Sequence, residues 1–472
     1  MRPVSRARRG SVVIVVVWAV AIAAVLVAAT QVVSFRQAVL GREALARVQA
    51  RWAARAGVEQ MIALMEFYHQ HPEPDDPMAL VRDMEAHAIG ATETGAWDIR
   101  HSLDGVEWAG PLDEGAKLNI NRATRMQLMA LPRITPDVVD AIVDWRDPDN
   151  DVQGMGAEAD YYRNRGMGYR PRNGNFKSIA ELELVAGAWP SYVRGEDWNL
   201  NSRLDPNEDD GSRSFPDDKP DGKLDAGWSG LLTARSIQSK YAPSGEPRIS
   251  LANASIEDLM ARTGVDETQA KALTEYGRQN GARVENLISI PLSQIAAGGM
   301  RNNAQGNKSG QGGSGGSGGS GGLSGRSSGG RGSGQNAQAN GPKDLTDAQL
   351  RAVLRETTTE DFSKPVPGRI NLNTAPVALL KDVLALDPRV ADAIVARRRA
   401  KPEGITSLAE LPGIGGMNAT ALATLTSQCD VQSSVYTVTS RGRALSTGAE
   451  VEIEVVVDRS EIPARILSYR EQ

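Results

Sequence analysis

The chain has 472 residues and a formal net charge of −5, long enough for roughly two to four domains and too balanced for charge alone to argue a nucleic-acid partner. Its single cysteine, Cys429, excludes an intrachain disulfide, so any extracytoplasmic part is stabilised by packing or by metal ions. Aromatic residues are few (5 Phe, 9 Tyr, 8 Trp) beside 48 Gly, which predicts that part of the chain builds no packed core.

The first element is apolar. No charged residue occurs from Ser11 to Phe35, and the run from Val12 to Val33 is long enough as a helix to cross a hydrocarbon layer about 30 Å thick. A cleavable secretory signal has a shorter apolar region, about 7–15 residues, so a retained anchor is expected. Arginines flank the run on both sides, and their balance leaves orientation open. Arg42 to Gln70 is rich in Ala, Leu, Arg and Glu and meets no proline before Pro72, which extends the anchor into one long rod over residues 11–70.

A short basic leader, residues 1–10, ends in Gly10 and runs straight into this helix. That start resembles the type IV pilin-like proteins, whose leader is cut after the glycine, leaving Ser11 as the first mature residue. Most such proteins have glutamate at the fifth mature position, where it neutralises a neighbouring subunit's terminal amine. Here that position is Val15. An ammonium buried in an apolar bundle without a partner is costly, so a subunit lacking the carboxylate fits the tip of a filament.

Three prolines, Pro72, Pro74 and Pro77, end the rod. Residues 71–120 open a sheet: "WDIRHSL" alternates in the strand period and Asp104-Gly105 is a hairpin turn. Residues 432–472 alternate again in "SVYTVTSRGRAL", "AEVEIEVVVDRS" and "ARILSYRE". A lone hairpin is marginal, so both ends of the chain are expected to share one sheet packed on the helix, an α+β fold with everything between as an insertion.

Within the insertion a phrase recurs. "KLNINRATRMQLMAL", "RISLANASIEDLMARTGV" and "RINLNTAPVALLKDVLAL" each give a short strand, an Asn/Thr/Ser-Ala cap and an apolar-periodic helix. The copies divide the insertion into a helical region at 121–298 and a helix-hairpin-helix-like region at 344–431. Between them, 299–343 is Gly/Ser-rich and reads as a flexible linker, its Arg301, Lys308, Arg326 and Arg331 solvated.

Acidic loops carry the candidate chemistry. "DWNLNSRLDPNE" places Asp197, Asn199, Asn201, Asp205 and Glu208 at positions 1, 3, 5, 9 and 12 of a loop, with Arg203 offering its carbonyl at position 7. Oxygens at alternate residues wrap one hard cation, the spacing calcium needs, although Ser202 stands where a glycine is usual. "DDKPDGKLDAGW" repeats the idea with Asp217, Asp221 and Asp225 but ends in Trp228. Over 196–225, ten acidic side chains face four basic ones, a crowding that is self-repulsive without a cation. A third cluster holds Asp147, Asp149, Asp151, Glu158 and Asp160. The four histidines form no zinc-like pair, and no nucleophile motif or phosphate loop is present, so no catalytic activity is expected. "LPGIGGMNATAL" is the hairpin of helix-hairpin-helix modules, in which backbone amides meet a DNA phosphate. A membrane-anchored DNA-binding protein of the DNA-uptake kind is therefore the alternative reading, with a tight interhelical turn preferred and nucleic acid unlikely.

The pilin-like start without its glutamate, then "DEGAKLNIN", "VDWRDPDND", "GAEADYY", "IAELELVAG" and "RINLNTAP" before C-terminal strands, together resemble the type II secretion system protein K family, the large minor pseudopilins. The resemblance implies a pilin-like domain with a mainly helical insertion, no enzymatic activity and bound calcium. It further implies single-pass residence in the inner membrane with a cytoplasmic N-terminus and a periplasmic bulk. Assembly with minor pseudopilins I and J would form a tip complex that starts and caps the pseudopilus.

Overall fold

The computed structural model describes residues 10–295 and 342–472. The leader before Gly10 and nearly all of the 299–343 linker, with Arg301, Lys308, Arg326 and Arg331, lie outside the described residues.

Helix α1 (Gly10–Gln70) is one uninterrupted element of 61 residues, about 90 Å long at the standard rise. Its early part leaves the large apolar side chains from Val12 to Val33 exposed, and its most apolar window has a mean hydropathy of 3.1 with none of it buried. From Ala46 onward one face is covered. Ala46, Ala50, Ala53, Ala54, Val58, Met61 and Met65 recur at helical spacing and lie against a sheet. A second helix, α2 (Ala79–Ala86), follows the proline stop and packs on the end of α1.

The sheet begins with β1 (Ile89–Ala91), β2 (Gly95–Leu103), β3 (Val106–Ala109) and β4 (Leu112–Asp113). Asp104 and Gly105 take φ of 54° and 66°, the left-handed pair that a two-residue hairpin turn requires. The chain then leaves for the insertion.

Three units make up the insertion, each closed by a two-residue parallel pairing of its first and last strands. β5 (Leu118–Asn119) pairs with β6 (Leu232–Thr233), β7 (Ile249–Ser250) with β8 (Thr357–Thr358), and β9 (Ile370–Asn371) with β10 (Cys429–Asp430). The recurring phrase opens every unit. In the second unit a further helix, Glu267–Gly277, follows Ile256–Thr263, so all three copies contain a helix pair. Caps hold as expected in the first two: Thr124 forms a capping box with Gln127, and Ser255 accepts from the Asp258 amide. The third differs. Thr374 donates its hydroxyl to Asp113 at 2.6 Å, and residues 379–383 form a wider π turn instead of a capped helix. The buried Asp113 carboxylate draws the hydroxyl away from a cap position. Units one and three share one apolar core, while the second has its own.

After the insertion, β11 (Val435–Ala444), β12 (Glu450–Asp458) and β13 (Arg465–Glu471) return to the first strands. The antiparallel order is β1-β2-β11-β12-β13, with β3 on β2 and β4 on β11. One sheet therefore joins both ends of the chain. Gly442 lets α1 approach closely, since a Cβ there would stand 2.0 Å from the Ala50 carbonyl oxygen.

Alternation along β11 and β12 sends Tyr436, Val438, Ile453, Val455 and Val457 toward α1. Thr437, Thr439, Arg441, Glu452 and Glu454 face the other way, yet Thr437, Thr439, Glu452 and Glu454 are buried and Arg441 is half-buried. What covers this polar face is the insertion, through the loop that contains Asp197.

Candidate metal centres

The loop at 197–208 folds as a wrapped turn. Asp197 accepts from the amides of Asn201 and Ser202 at 3.0 Å each, Asn199 from Asn201 at 2.9 Å, and Asn201 from Arg203 at 2.8 Å. Glu208 reaches back from the last position to accept from Trp198 and Asp205, both at 3.1 Å. Ser202 takes φ of 55° at the position where glycine is usual, so the turn forms despite the Cβ. Asp197, Asn201, Arg203, Asp205 and Glu208 are all buried.

Burial pushes Asp197 up to about 6, against the help of the Ser202 amide. Glu208 is pushed up to about 8 by burial, then by the charges of Asp197 and Asp205. The loop is also stitched to the sheet. Arg203 bonds the Asp98 carboxylate at 2.6 Å, Asn201 donates to Glu452 at 2.8 Å, Arg470 donates to the Asn199 carbonyl at 2.6 Å, and Arg441 pairs with Asp205. Asp205 therefore already has a cationic neighbour. Its loop has the right chain path for a cation but shares one acidic ligand with a guanidinium.

The second acidic loop is organised by residues other than those its spacing singles out. Asp217, Asp221 and Asp225 are exposed. Asp221 and Asp225 accept only from amides two residues on, Lys223 at 3.0 Å and Gly227 at 3.1 Å, while the longer-range acceptors are Glu196, which takes the amides of Lys219 and Asp225 at 3.0 Å each, Asp209, which takes Gly222 at 2.9 Å, and Asp218, which takes Gly211 at 2.8 Å. Trp228 is a core side chain that donates to the Pro132 carbonyl at 2.8 Å.

The third cluster gathers tightly, with one member the spacing missed. Among the described residues, Asp144, Asp147 and Glu158 are the group of three acidic side chains whose oxygens all lie within 4.8 Å of one another. Asp149 instead accepts from the Asp151 amide at 2.9 Å, and Asp160 pairs with Arg163 at 2.7 Å, so Asp149, Asp151 and Asp160 stand apart. Asp144 precedes Asp147 by one helical turn, at the end of the helix Pro136–Arg146; this i,i+3 spacing was the available signal. Both oxygens of Glu158, one of Asp144 and one of Asp147 are buried without a hydrogen-bond partner. Burial, then the neighbouring Asp144 and Asp147, push Glu158 up to about 7. The enclosing loop passes so close at Gly156 that a Cβ there would meet Asp144 Oδ2 at 2.1 Å. Orphaned carboxylate oxygens crowded together fit a hard divalent cation, which would neutralise them and bind the loop to the helix.

The helix-hairpin-helix segment offers less to a ligand. Leu411 is buried, Asn418 caps the helix Ala419–Gln428 through the Ala421 amide at 2.9 Å, and Gly413 and Gly415 have open space around them. Of the nearby basic run, Arg397 pairs with Glu410, and Arg398 donates to the carbonyls of Leu372 and Ala375 at 2.9 and 2.6 Å. These cations are used inside the fold.

A helix long and apolar enough to cross a membrane, laid on an antiparallel sheet with a helical insertion between the sheet's two halves, defines an α+β protein. Within it, residues 113–195 match the family model for the type II secretion system (T2SS), protein K. This stretch contains Asp144, Asp147 and Glu158. A solved structure of the GspK-GspI-GspJ complex from the enterotoxigenic Escherichia coli type 2 secretion system includes a chain similar over 92% of this one and 99% of its own length, at 11% identity and a TM-score of 0.41. No curated protein matches.

Proposed function

We propose that the chain is a minor pseudopilin of the protein K type, which joins minor pseudopilins I and J in a tip complex that starts and caps the pseudopilus of a type II secretion system. The observation that carries this reading is the protein K segment at 113–195, set between the strands of a sheet that rests on a membrane-length helix. Activity here is mechanical. Helix α1 stays in the inner membrane after cleavage between Gly10 and Ser11, and small residues such as Ala19, Ala21, Ala23 and Ala24 allow close approach of neighbouring helices. Val15 offers no carboxylate to the amine of a subunit placed ahead of it, and the large periplasmic insertion blocks the way above.

Calcium binding belongs to the same proposal. The Asp144–Asp147–Glu158 cluster is the better-fitting site, because four of its six carboxylate oxygens are buried and unpartnered, whereas the loop from Asp197 to Glu208 spends several of its oxygens on its own amides. A cation in either place would fix the insertion's loops against helix or sheet. Co-expression with I- and J-type minor pseudopilins, followed by detergent extraction, tests the assembly. A stoichiometric three-subunit complex is expected, and recovery of this chain alone under conditions where I and J pair would contradict it.

A further inference from the structure

Past Ile99, the face of β2 that packs on α1 runs on into the hairpin with β3, and its cover there is incomplete. His101 stands opposite Trp108 in the register, and Leu103 opposite Val106. Helix α2 and the start of the third unit close over these residues only in part, leaving a cavity of about 340 Å³ against Val81, Met84, Leu103, Trp108 and Val377. Val106 and Trp108 remain 50% and 45% exposed beside it. No part of the proposed pseudopilin role uses this space.

Size and lining set the chemical class of an occupant. Roughly 150 Å³ of apolar cavity is enough for benzene, so this one has room for a substituted ring. Met78 and Met84 bring thioethers, which make favourable contacts with aromatic groups, and Trp108 and Tyr436 bring rings of their own. Because α2 packs on the end of α1, the cavity stands about 50 Å of helix beyond Val33, out of reach of membrane acyl chains.

The polar wall can be accounted for group by group. Asp113 accepts from Gly115, Asn371 and Thr374, at 2.7, 2.9 and 2.6 Å. Asn373 is spent on Ile405 and Val431, and Arg398 on the carbonyls of Leu372 and Ala375. Glu85, Asp104 and Arg399 are exposed. Glu85 and Asp104 offset Arg398 and Arg399, so the wall selects no ion.

His101 is the exception. Its Nδ1 donates to the Gly110 carbonyl at 2.9 Å, which fixes the ring and makes Nε2 a lone-pair acceptor in the neutral imidazole. Nε2 has no protein partner among the described residues and is not sealed from water. Burial pushes the ring down to about 4, so the neutral form is the one present near pH 7.

We infer that this cavity is a binding site for a neutral aromatic ring with one hydrogen-bond donor, a phenol or an indole, held between α2 and the β2–β3 hairpin with its O–H or N–H on His101 Nε2. The ring arrives either as a free molecule or as a tyrosine or tryptophan side chain of another subunit.

Methionine methyl NMR of the full chain in detergent tests this, with para-cresol and toluene as probes. Saturating shifts are expected at Met78 and Met84, while the exposed Met126 and Met155 stay still. His101→Asn keeps a donor for the Gly110 carbonyl but withdraws the acceptor, and is expected to weaken para-cresol about tenfold while leaving toluene little changed. Val377→Trp, which fills the cavity, is expected to abolish both responses; His101→Asn serves if that variant does not fold. With I- and J-type minor pseudopilins bound, Met78 and Met84 signals already displaced and no longer responsive would identify a subunit's side chain as the ring, and a retained para-cresol response a free molecule. Shifts that do not saturate, shifts equal at the exposed methionines, or an undiminished preference for para-cresol over toluene in His101→Asn would overturn the assignment.

Discussion

Asn121 and Asn373 perform the same task in two units of the insertion. Asn121 accepts from the Phe176 amide at 2.7 Å and donates to the Phe176 carbonyl at 3.0 Å; Asn373 does the same with Ile405, at 2.8 and 2.9 Å. Each asparagine thereby fixes the segment that returns after its helix pair, and Asn373 holds the Val431 carbonyl as well, at 2.9 Å. The second unit has Ala252 at the matching place in the recurring phrase, and its linker falls inside that unit.

Asn373→Ala is expected to destabilise the chain by about 2–4 kcal/mol, since it leaves the Ile405 amide and two carbonyls buried without a partner. Chemical denaturation followed by tryptophan fluorescence checks this, with a lower midpoint as the expected result. Asn121→Ala is expected to act in the same direction.

Ser202→Gly is expected to stabilise. The residue holds φ of 55° in a loop that is fastened to the sheet on both sides, and glycine adopts that conformation without the steric cost of a Cβ. A gain of about 1 kcal/mol is anticipated. Thermal denaturation of the two chains under one condition measures it, and an unchanged or lower midpoint would show that the turn is relaxed as it stands.

Glu158→Gln is expected to change sign with calcium. In EGTA the substitution removes one of three crowded carboxylates and raises stability; with calcium it removes a ligand and the calcium-dependent part of the stability falls. The pH dependence follows from the same group. The folded chain holds the Glu158 proton up to about 7, against 4.5 ordinarily, so the stability this contributes is full below about 4.5 and lost as pH rises toward 7. Without calcium, the parent chain should lose more stability than Glu158→Gln across that window. Equal slopes for the two chains would mean that the cluster does not titrate there.

Gly442→Ala is expected to cost about 1–3 kcal/mol, because its Cβ would meet the Ala50 carbonyl and the Ala54 amide where α1 crosses the sheet. Comparing denaturation midpoints of the two chains tests the crossing, and a neutral result would mean the helix sits farther out.

Much of this architecture could be read from local pattern. The apolar run and proline-free rod gave α1, Asp104-Gly105 gave the hairpin, the strand-period alternation gave β11 to β13, and the recurring phrase gave the start of each unit; the second unit, however, does not stop at the linker, since β7 pairs with β8 beyond it and Val353 joins its core, so 121–298 and 344–431 are not separate regions. What escaped depends on contacts between distant segments. The short strands β1 and β4 have no pattern of their own and exist only through pairing with β2 and β11. The polar side of β11 and β12 alternates as a solvated face does, yet Thr437 bonds Glu114 and Thr439 bonds the Asn201 carbonyl, both beneath the insertion. At the acidic sites, spacing found Asp147 and Glu158 but not Asp144, which helical rather than loop periodicity brings to them. Glu196 and Asp209 organise the second loop through backbone amides 29 and 13 residues along the chain, which no short spacing encodes.

The central claim is that Val15 and the large insertion make this subunit an end piece. Gold labelling of the chain in assembled pseudopili, viewed by electron microscopy, tests it most directly. The account predicts label at one end of each filament, and a shift into the shaft for a Val15→Glu variant is not required for that result. Label repeated along the shafts of filaments built with the parent chain would contradict it.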